Sequence, residues 1–490
     1  MSIFRSACRF GPLRPVAPGQ RRGLAAAAAG FAGWTRAYGT SALAGGGGWL
    51  IAGRRGRSRG IVVGYRGRAP AWARHLPPGR DASGTRSFGV RRNSDGCVRN
   101  RGLTVTLMPA DHAVLSALRA SIPWLAPRPA GRRPSIGMGD RTGYATRGQA
   151  LALGRSPLFP VFAQQSVREM TRTGRAPDQV LDDATFGVLA AGWRNGWGAD
   201  ADHLKDAADI DRMAKAGFTL FTLDASPALR PGAERLSDPA ARFGPAVRFL
   251  AALARRVSRA MRGKPWEIEI SLDELPVVTR PADHEYVVRG LARRGVRVAA
   301  VAPRFPGSFE KGVDFRGSLP AFARALAAHV AVARRLGGYK ISVHSGSDKF
   351  RVYRTVARIT RGRFHVKTAG TSWLESLRTV ARADPKLFRE IVAHARKAFP
   401  AARQSYQISA RLTDVPAPGR ITNHRLESVY LDRPAARQVL HVAFGAILGA
   451  KTKDGWIFRD RIHRLLALNE GVHAAVLVRH LGRHIRLLRP

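Results

Sequence analysis

Two short stretches near the middle of the chain share one design. In "YKISVHSGSDKF" (339–350) an apolar, β-branched run gives way to His344, serines, a glycine, an aspartate and a lysine. In "FHVKTAGTS" (364–372) His365 and Lys367 stand in a similar run before a turn of small residues. A third histidine, His203, lies in "GADADHLK" (198–205) beside Asp200 and Asp202. A single histidine at a strand end is usually a hydrogen-bonded structural residue. Three that converge offer neutral imidazoles to a divalent cation such as zinc, nickel, cobalt or manganese. Three protein ligands with an open position make a Lewis-acid site, and His203, His344 and His365 are expected to form it. Asp200 and Asp202 are alternative ligands, or partners that orient a histidine.

Other charged groups cluster at comparable points. Asp273 and Glu274 end the run "WEIEISLDE" (266–274), and Glu310 and Asp314 lie in "GSFEKGVDF" (307–315). Carboxylates on opposite walls of a pocket can take and give a proton on two faces of a substrate. Salt bridges at a loop entrance are the plainer alternative for each. Arg304, Lys340, Lys349 and Lys367 could clamp an anion or activate a carbonyl, and the turn at Ser345 could hold an anion on backbone N–H groups. Lys340 opens its run and could lie at the opposite end of the fold.

Something must bring these groups together. Beyond residue 200 the chain alternates apolar runs, "GFTLFTLDAS" (217–226), "WEIEISLDE", "VRVAAVAPRF" (296–305), "YKISVHSGS" (339–347) and "RFHVKTAG" (363–370), with amphipathic helical stretches at 246–263, 282–295 and 319–338. Each helical stretch ends at glycine, as a C-terminal stop requires. Strand–helix–strand repetition implies a parallel sheet. A (β/α)8 barrel of the TIM type is the first expectation and an open doubly wound sheet the second. In a barrel the strands' C-terminal ends share one rim. The runs end at Asp224, at Asp273 and Glu274, at Arg304, at His344, and at His365 with Lys367.

The net charge of +48 suggests nucleic acid, but its distribution argues otherwise. Residues 1–130 hold 21 arginines, three aspartates and neither lysine nor glutamate, among Gly, Ala and Pro without periodicity. They are expected to form a disordered, or wrongly translated, extension, with the catalytic domain at 131–490. An export signal at "QRRGLAAAAAGFAGW" (20–34) and an RNA-binding arm are alternatives. Residues 131–490 still carry 61 basic against 31 acidic residues, a field that favours capture of an anionic substrate. The two cysteines, Cys8 and Cys97, stand in no CxxC and suit a reducing, cytoplasmic setting. No apolar run is long enough to span a membrane. No GxGxxG after a strand, GxxxxGK[ST] or GxSxG motif is present, so dinucleotide, nucleoside triphosphate and serine-hydrolase readings lack their signatures.

Eight blocks together resemble the tagaturonate/fructuronate epimerases of bacterial hexuronate catabolism. They are "SIGMGDRTGYATRGQ" (135–149), "PVFAQQSVREMTRTGRAPDQVLDDATFGV" (160–188), "GWGADADHLK" (196–205), "GFTLFTLDAS", "EISLDE" (269–274), "APRFPGSFEKGVDF" (302–315), "YKISVHSGSDKF" and "HVKTAGTSWLESLR" (365–378). The resemblance covers roughly 134–490 and does not reach the first 130 residues. It implies a metal-dependent epimerase that interconverts two keto-hexuronates differing at one hydroxyl-bearing carbon. That carbon lies β to the ketone, so its C–H is not acidified, and retro-aldol cleavage with re-addition is the better-founded route. On this reading Glu274 is the base and Asp314 its counterpart for the opposite face, with Glu310 as substitute for either. Arg304, Lys349, Lys367 and Ser345 receive the substrate, a small acidic sugar. A class II-type aldolase or a metal-dependent sugar isomerase would look similar by residue type, and a basic RNA-associated protein is the non-enzyme alternative. Neither a nucleic-acid nor a membrane partner is expected. His473, His480 and His484 lie at helical spacing and could form a second metal face, or belong to an amphipathic closing helix.

Overall fold

Alternation of inward and outward side chains along eight short strands shapes the larger of two units in a computed structural model of the chain. The structure describes residues 13–66, 68–74, 76, 97–100, 103–229, 232–274 and 277–489. One unit comprises Met1–Ala126 with Asp182–Gly196, the other Pro127–Leu181 with Trp197–Pro490. In the second unit the strands are β1 (Ser135–Gly137), β2 (Phe159–Ser166), β3 (Gly198–Leu204), β4 (Leu220–Asp224), β5 (Glu267–Ser271), β6 (Ala300–Ala302), β7 (Lys340–Val343) and β8 (Phe364–Lys367). All neighbours are parallel, and β8 closes on β1 with His365 beside Ser135 and Lys367 beside Gly137. This is the (β/α)8 barrel.

Five of the strands coincide with the apolar runs. β3 does not read as apolar because aspartates alternate with its alanines. The period of two explains it: Ala199, Ala201, Phe221, Leu223, Ile268, Ile270, Ile341 and Val343 are buried on the outer face of the barrel wall. Burying each such Leu, Ile or Phe contributes about 1.5–3 kcal/mol. The alternate positions, Asp200, Asp202, Thr222, Glu269, Ser342, His365 and Lys367, fill the interior. Between strands run the helices Pro239–Ala260, Pro281–Ala292 and Leu319–Arg335, capped at their starts by Asp238, the Arg280–Asp283 pair and Ser318. Gly263, Gly295 and Gly337 follow with φ of 74°, 77° and 112°, the left-handed stops that side-chain-bearing residues resist. After β8 the chain is mostly helical around Trp373, Phe388, Tyr430 and Phe444 and ends in the amphipathic helix Glu470–Leu487.

The first unit corrects the expectation of a disordered extension. Its described residues form a seven-stranded antiparallel sheet, with Gly48–Arg55 and Ser58–Arg66 as a hairpin and Leu103–Pro109 beside the second. The stretch weighed as an export signal is the helix Pro18–Ala32, which buries Leu24 and Ala28 with Trp49, Ile51 and Val62. The composition misled because this core is built from tryptophans seated on glycines. A Cβ at Gly53 would overlap the Trp34 ring, and one at Gly64 the Trp49 ring, so glycine-rich strands here are sockets rather than linkers. Cys8 lies outside the described residues, and Cys97 begins the strand Cys97–Asn100. Among the described residues no helix is long and apolar enough to cross a membrane.

Gly64→Val tests the folded state of this unit. The added side chain must displace Trp49, with an expected loss of about 1–3 kcal/mol in that unit's chemical denaturation, followed by tryptophan fluorescence. An unstructured segment would register no change.

Candidate active site

His203, the penultimate residue of β3, meets Asp273 and His344, which lie just beyond the C-terminal ends of β5 and β7. Strict alternation along β3 would turn His203 outward, since Asp202 already points in. The register with β4 shifts between Ala201 and Leu204, and His203 adopts φ 56°, which swings its ring into the barrel mouth. A left-handed backbone at a non-glycine residue costs of order 1–3 kcal/mol and marks a site held by its surroundings. His344 and Asp273 follow the inward parity of Ser342 and Ser271. The His203 and His344 rings lie edge to face with centroids 5.0 Å apart. One ligand atom each from His203, Asp273 and His344 falls within 4.8 Å of the others. A second grouping of the same kind joins His203 to Asp224 and Glu274. His344 Nδ1 is buried 2.8 Å from Asp273 Oδ1 without a well-directed hydrogen bond between them. Two imidazoles and a carboxylate around one point are the donor set of a transition-metal dication.

Charges run from this point into the barrel. His344 Nε2 is 2.6 Å from Glu269 Oε1. The same oxygen lies 2.8 Å from Lys367 Nζ, which also contacts Asp200 at 2.8 Å and Asp202 at 2.7 Å. Burial alone would pull the His344 imidazole down, but Asp273 and Glu269 outweigh it and raise it to about 10. Burial likewise opposes the charge on His203, and Asp202 and Asp224 overcome it, the latter 3.0 Å from Nδ1. Asp273 is pushed down to about 2 because His344 outweighs its burial. Asp200, the deepest carboxylate, is raised to about 7, chiefly by burial.

His365 does not join His203 and His344, which corrects the three-histidine assignment. It pairs in register with Ser342 and Ser135, two residues short of Lys367, and so lies roughly 6–7 Å deeper along the barrel. There its Nδ1 is 3.0 Å from Ser135 Oγ, and burial lowers the ring to about 3, keeping it neutral. Asp273 stands where the third imidazole was expected. Lys367 reaches the mouth, but its three carboxylates leave no free charge for an anion. Lys340 does lie deeper, donating to Ser135 Oγ at 3.1 Å.

Asp314 and Lys349 also leave the site. Asp314 Oδ1 accepts from the backbone N–H groups of Phe315 (2.7 Å) and Arg351 (3.2 Å), tying the loop after β6 to the helix Phe350–Thr360. Lys349 Nζ donates to the carbonyls of Glu310, Val313 and Ser347 and is a buried strut between two loops. Glu310 borders the cavity, but Oε2 is engaged by Ser409 and Gln438 and Oε1 by Ser308. Glu274 stays at the mouth, accepting from Lys205 Nζ at 3.0 Å with His203 3.9 Å away.

These groups border a cavity of about 600 Å³. Arg304 and Ser345 lie on its wall as expected. So do Lys311, Arg141 and Arg168, which residue-type reasoning passed over. Lys311 Nζ donates to Ser345 Oγ at 2.7 Å, and Arg141 pairs with Glu169 at 2.5 Å while stacking on Phe444. Lys311 sits in the stretch already singled out for Glu310 and Asp314. Arg141 belongs to the loop after β1, a strand too short to be read from hydropathy.

A family model described as tagaturonate epimerase matches residues 83–242 and 228–488. A tagaturonate/fructuronate epimerase of Thermotoga maritima is 38% identical over 434 residues, covering 80% of this chain and 88% of that protein. Crystal structures of the fructuronate-tagaturonate epimerase of Cohnella laeviribosi, native and with one glycerol, superpose with TM-scores of 0.82 and 0.83. Each is 31% identical and covers 92% of this chain and 96% of its own. A match over 92% of the chain must take in much of residues 1–130, so the glycine-rich sheet belongs to the shared architecture. With the barrel, the mouth and these relatives in agreement, the chain belongs to the tagaturonate epimerase family and is a carbohydrate epimerase.

Proposed function

We propose that this epimerase interconverts D-tagaturonate and D-fructuronate by metal-assisted retro-aldol cleavage and re-addition. The observation that carries the reading is the meeting of His203, His344 and Asp273 at the mouth of a cavity whose wall bears Lys311, Arg304 and Arg141. The donor set suits a divalent cation such as zinc, nickel, cobalt or manganese. Bound there, such a cation acts as a Lewis acid that stabilises negative charge developing on the substrate's ketone oxygen.

The protein groups divide the remaining work. Lys311 and Arg304 hold the substrate carboxylate and fix one end of the molecule. Glu274, which accepts a hydrogen bond from Lys205, takes the proton of the β-hydroxyl. The bond between the α and β carbons breaks, its electron pair forms the enediolate, and the β carbon becomes an aldehyde. The aldehyde turns its other face to the enediolate, the bond reforms, and Glu274 returns the proton to the new alkoxide. The C–H of the inverted carbon is never broken. The two cysteines suit a reducing, cytoplasmic setting for such an enzyme.

Incubation of D-tagaturonate with the protein in D2O, followed by NMR, is expected to give D-fructuronate without deuterium at the inverted carbon. Deuterium there would replace the retro-aldol route by proton abstraction, and accumulation of three-carbon fragments would point to an aldolase. Glu274→Gln is expected to lower kcat by about 10²–10⁴ with the circular dichroism unchanged.

Metal binding must displace the proton held on His344. Its folded value lies above the ordinary imidazole value, so the stabilisation it gives the metal-free protein is complete below about pH 6.5 and is lost as pH rises through about 10. Affinity for the cation therefore rises with pH across that window. Titration calorimetry at pH 7 in buffers of different ionisation enthalpy should show release of about one proton or more per cation. Chelation should abolish turnover, and added metal restore it.

A further inference from the structure

The helix Glu470–Leu487 lies far along the chain from the cavity, yet its histidines reach the loop that follows β7. His480 Nε2 is 2.5 Å from Asp348 Oδ1, and its Nδ1 is 3.3 Å from Glu375 Oε1. His484 Nε2 accepts the Asp348 backbone N–H at 3.1 Å, and its Nδ1 is 3.2 Å from the His480 carbonyl. The other Asp348 oxygen is 2.6 Å from Arg437 Nη2. The cluster is near enough for a cation, but its lone pairs are already taken by an N–H and a guanidinium. Its role is to hold the loop.

That loop needs holding. Ser345 and Asp348 both adopt left-handed backbone, at φ 50° and 59°. Gly346 between them has no room for a Cβ, which would lie 2.6 Å from Val366 Cγ1. Arg437 continues the chain of contacts: its Nε donates to the Gly312 carbonyl at 2.8 Å, the residue after Lys311. Both flanks of the Lys311–Ser345 hydrogen bond are therefore anchored through Asp348.

We propose that His480 is a positioning residue for substrate binding: with Arg437 it fixes Asp348, and through Asp348 the Ser345 hydroxyl and the Lys311 ammonium on the cavity wall. The proposal rests on Lys311 taking the substrate carboxylate. His203, His344, Asp273 and Glu274 keep their own contacts when His480 is changed, so the effect falls on binding rather than on the chemical step.

Steady-state kinetics on D-tagaturonate with metal-loaded His480→Leu, His480→Gln, Lys311→Met and the Leu/Met double variant test it. His480→Leu is expected to raise KM by about fivefold or more with kcat within about twofold, a loss of binding common to ground and transition states. His480→Gln, which keeps a donor, should recover most of the wild-type KM. In the double variant His480→Leu should add little to Lys311→Met, because both act through one group. A merely structural histidine would lower the active fraction, leave KM unchanged and act independently of Lys311. Unchanged KM in His480→Leu, or independent effects in the double variant, overturns the proposal. Unchanged KM in Lys311→Met overturns the carboxylate pocket and the proposal with it. Should His480→Leu not fold, Asp348→Asn serves the same test, since asparagine tolerates the left-handed backbone and loses the charge together with one of the two acceptors that hold His480 and Arg437.

Discussion

The barrel depends on a buried lysine. Lys367, at the rim end of β8, is surrounded by Asp200, Asp202 and Glu269, each 2.7–2.8 Å from its Nζ. Charges in such a place are tolerable only while they compensate one another, and removing one partner of a buried pair costs about 3–5 kcal/mol. Glu269 passes the compensation outward to His344, and His344 to Asp273 at the mouth. The imidazole and carboxylate that line the cavity are thus the outer end of a charge chain rooted in the fold. Moving His344 would take from Glu269 one of its two charged partners, so the geometry at the mouth is tied to the barrel interior.

A second constraint acts from outside. The loops after β6 and β7 carry Lys311 and Ser345, and the first is pinched by the antiparallel bridge between Ser308 and Arg316. Lys349 satisfies three of their carbonyls from within, and Arg437 ties Gly312 to Asp348 from the helical segment that follows the barrel. Lysines and arginines that composition suggests as anion receptors are used here as struts. Lys311, on the cavity wall itself, is the cation proposed above for the substrate carboxylate.

This division explains what could be read from the sequence. Five strands and three helices were legible because bulky apolar residues and glycine stops mark them. β3 was hidden by inward aspartates, which is what an ionic barrel interior demands. His344 was recognisable as a mouth residue because it follows its strand, whereas His203 was singled out only as a third histidine beside two aspartates. His365 was misplaced by a single period: two residues along β8, Lys367 takes the position at the rim. Asp314 and Lys349 had the right types and neighbourhood, but their direction is set by hydrogen bonds to backbone groups brought from elsewhere, which residue type does not encode. The first unit was illegible for a different reason, since its tryptophans pack on glycines that hydropathy counts as loop.

The ionic interior also bears on the choice of reaction. Retro-aldol chemistry generates an enediolate, and an enzyme that epimerises must hold that anion while the aldehyde half turns. On the proposed route the wall cations hold the aldehyde fragment by its carboxylate, the groups His203, His344 and Asp273 serve the enediolate fragment, and a cavity of about 600 Å³ leaves the aldehyde carbon between them room to turn. An aldolase needs the same charge stabilisation but must let the aldehyde leave. On the proposed route the difference would lie in how firmly the carboxylate end is gripped, a grip assigned above to Lys311 beside the turn at Ser345.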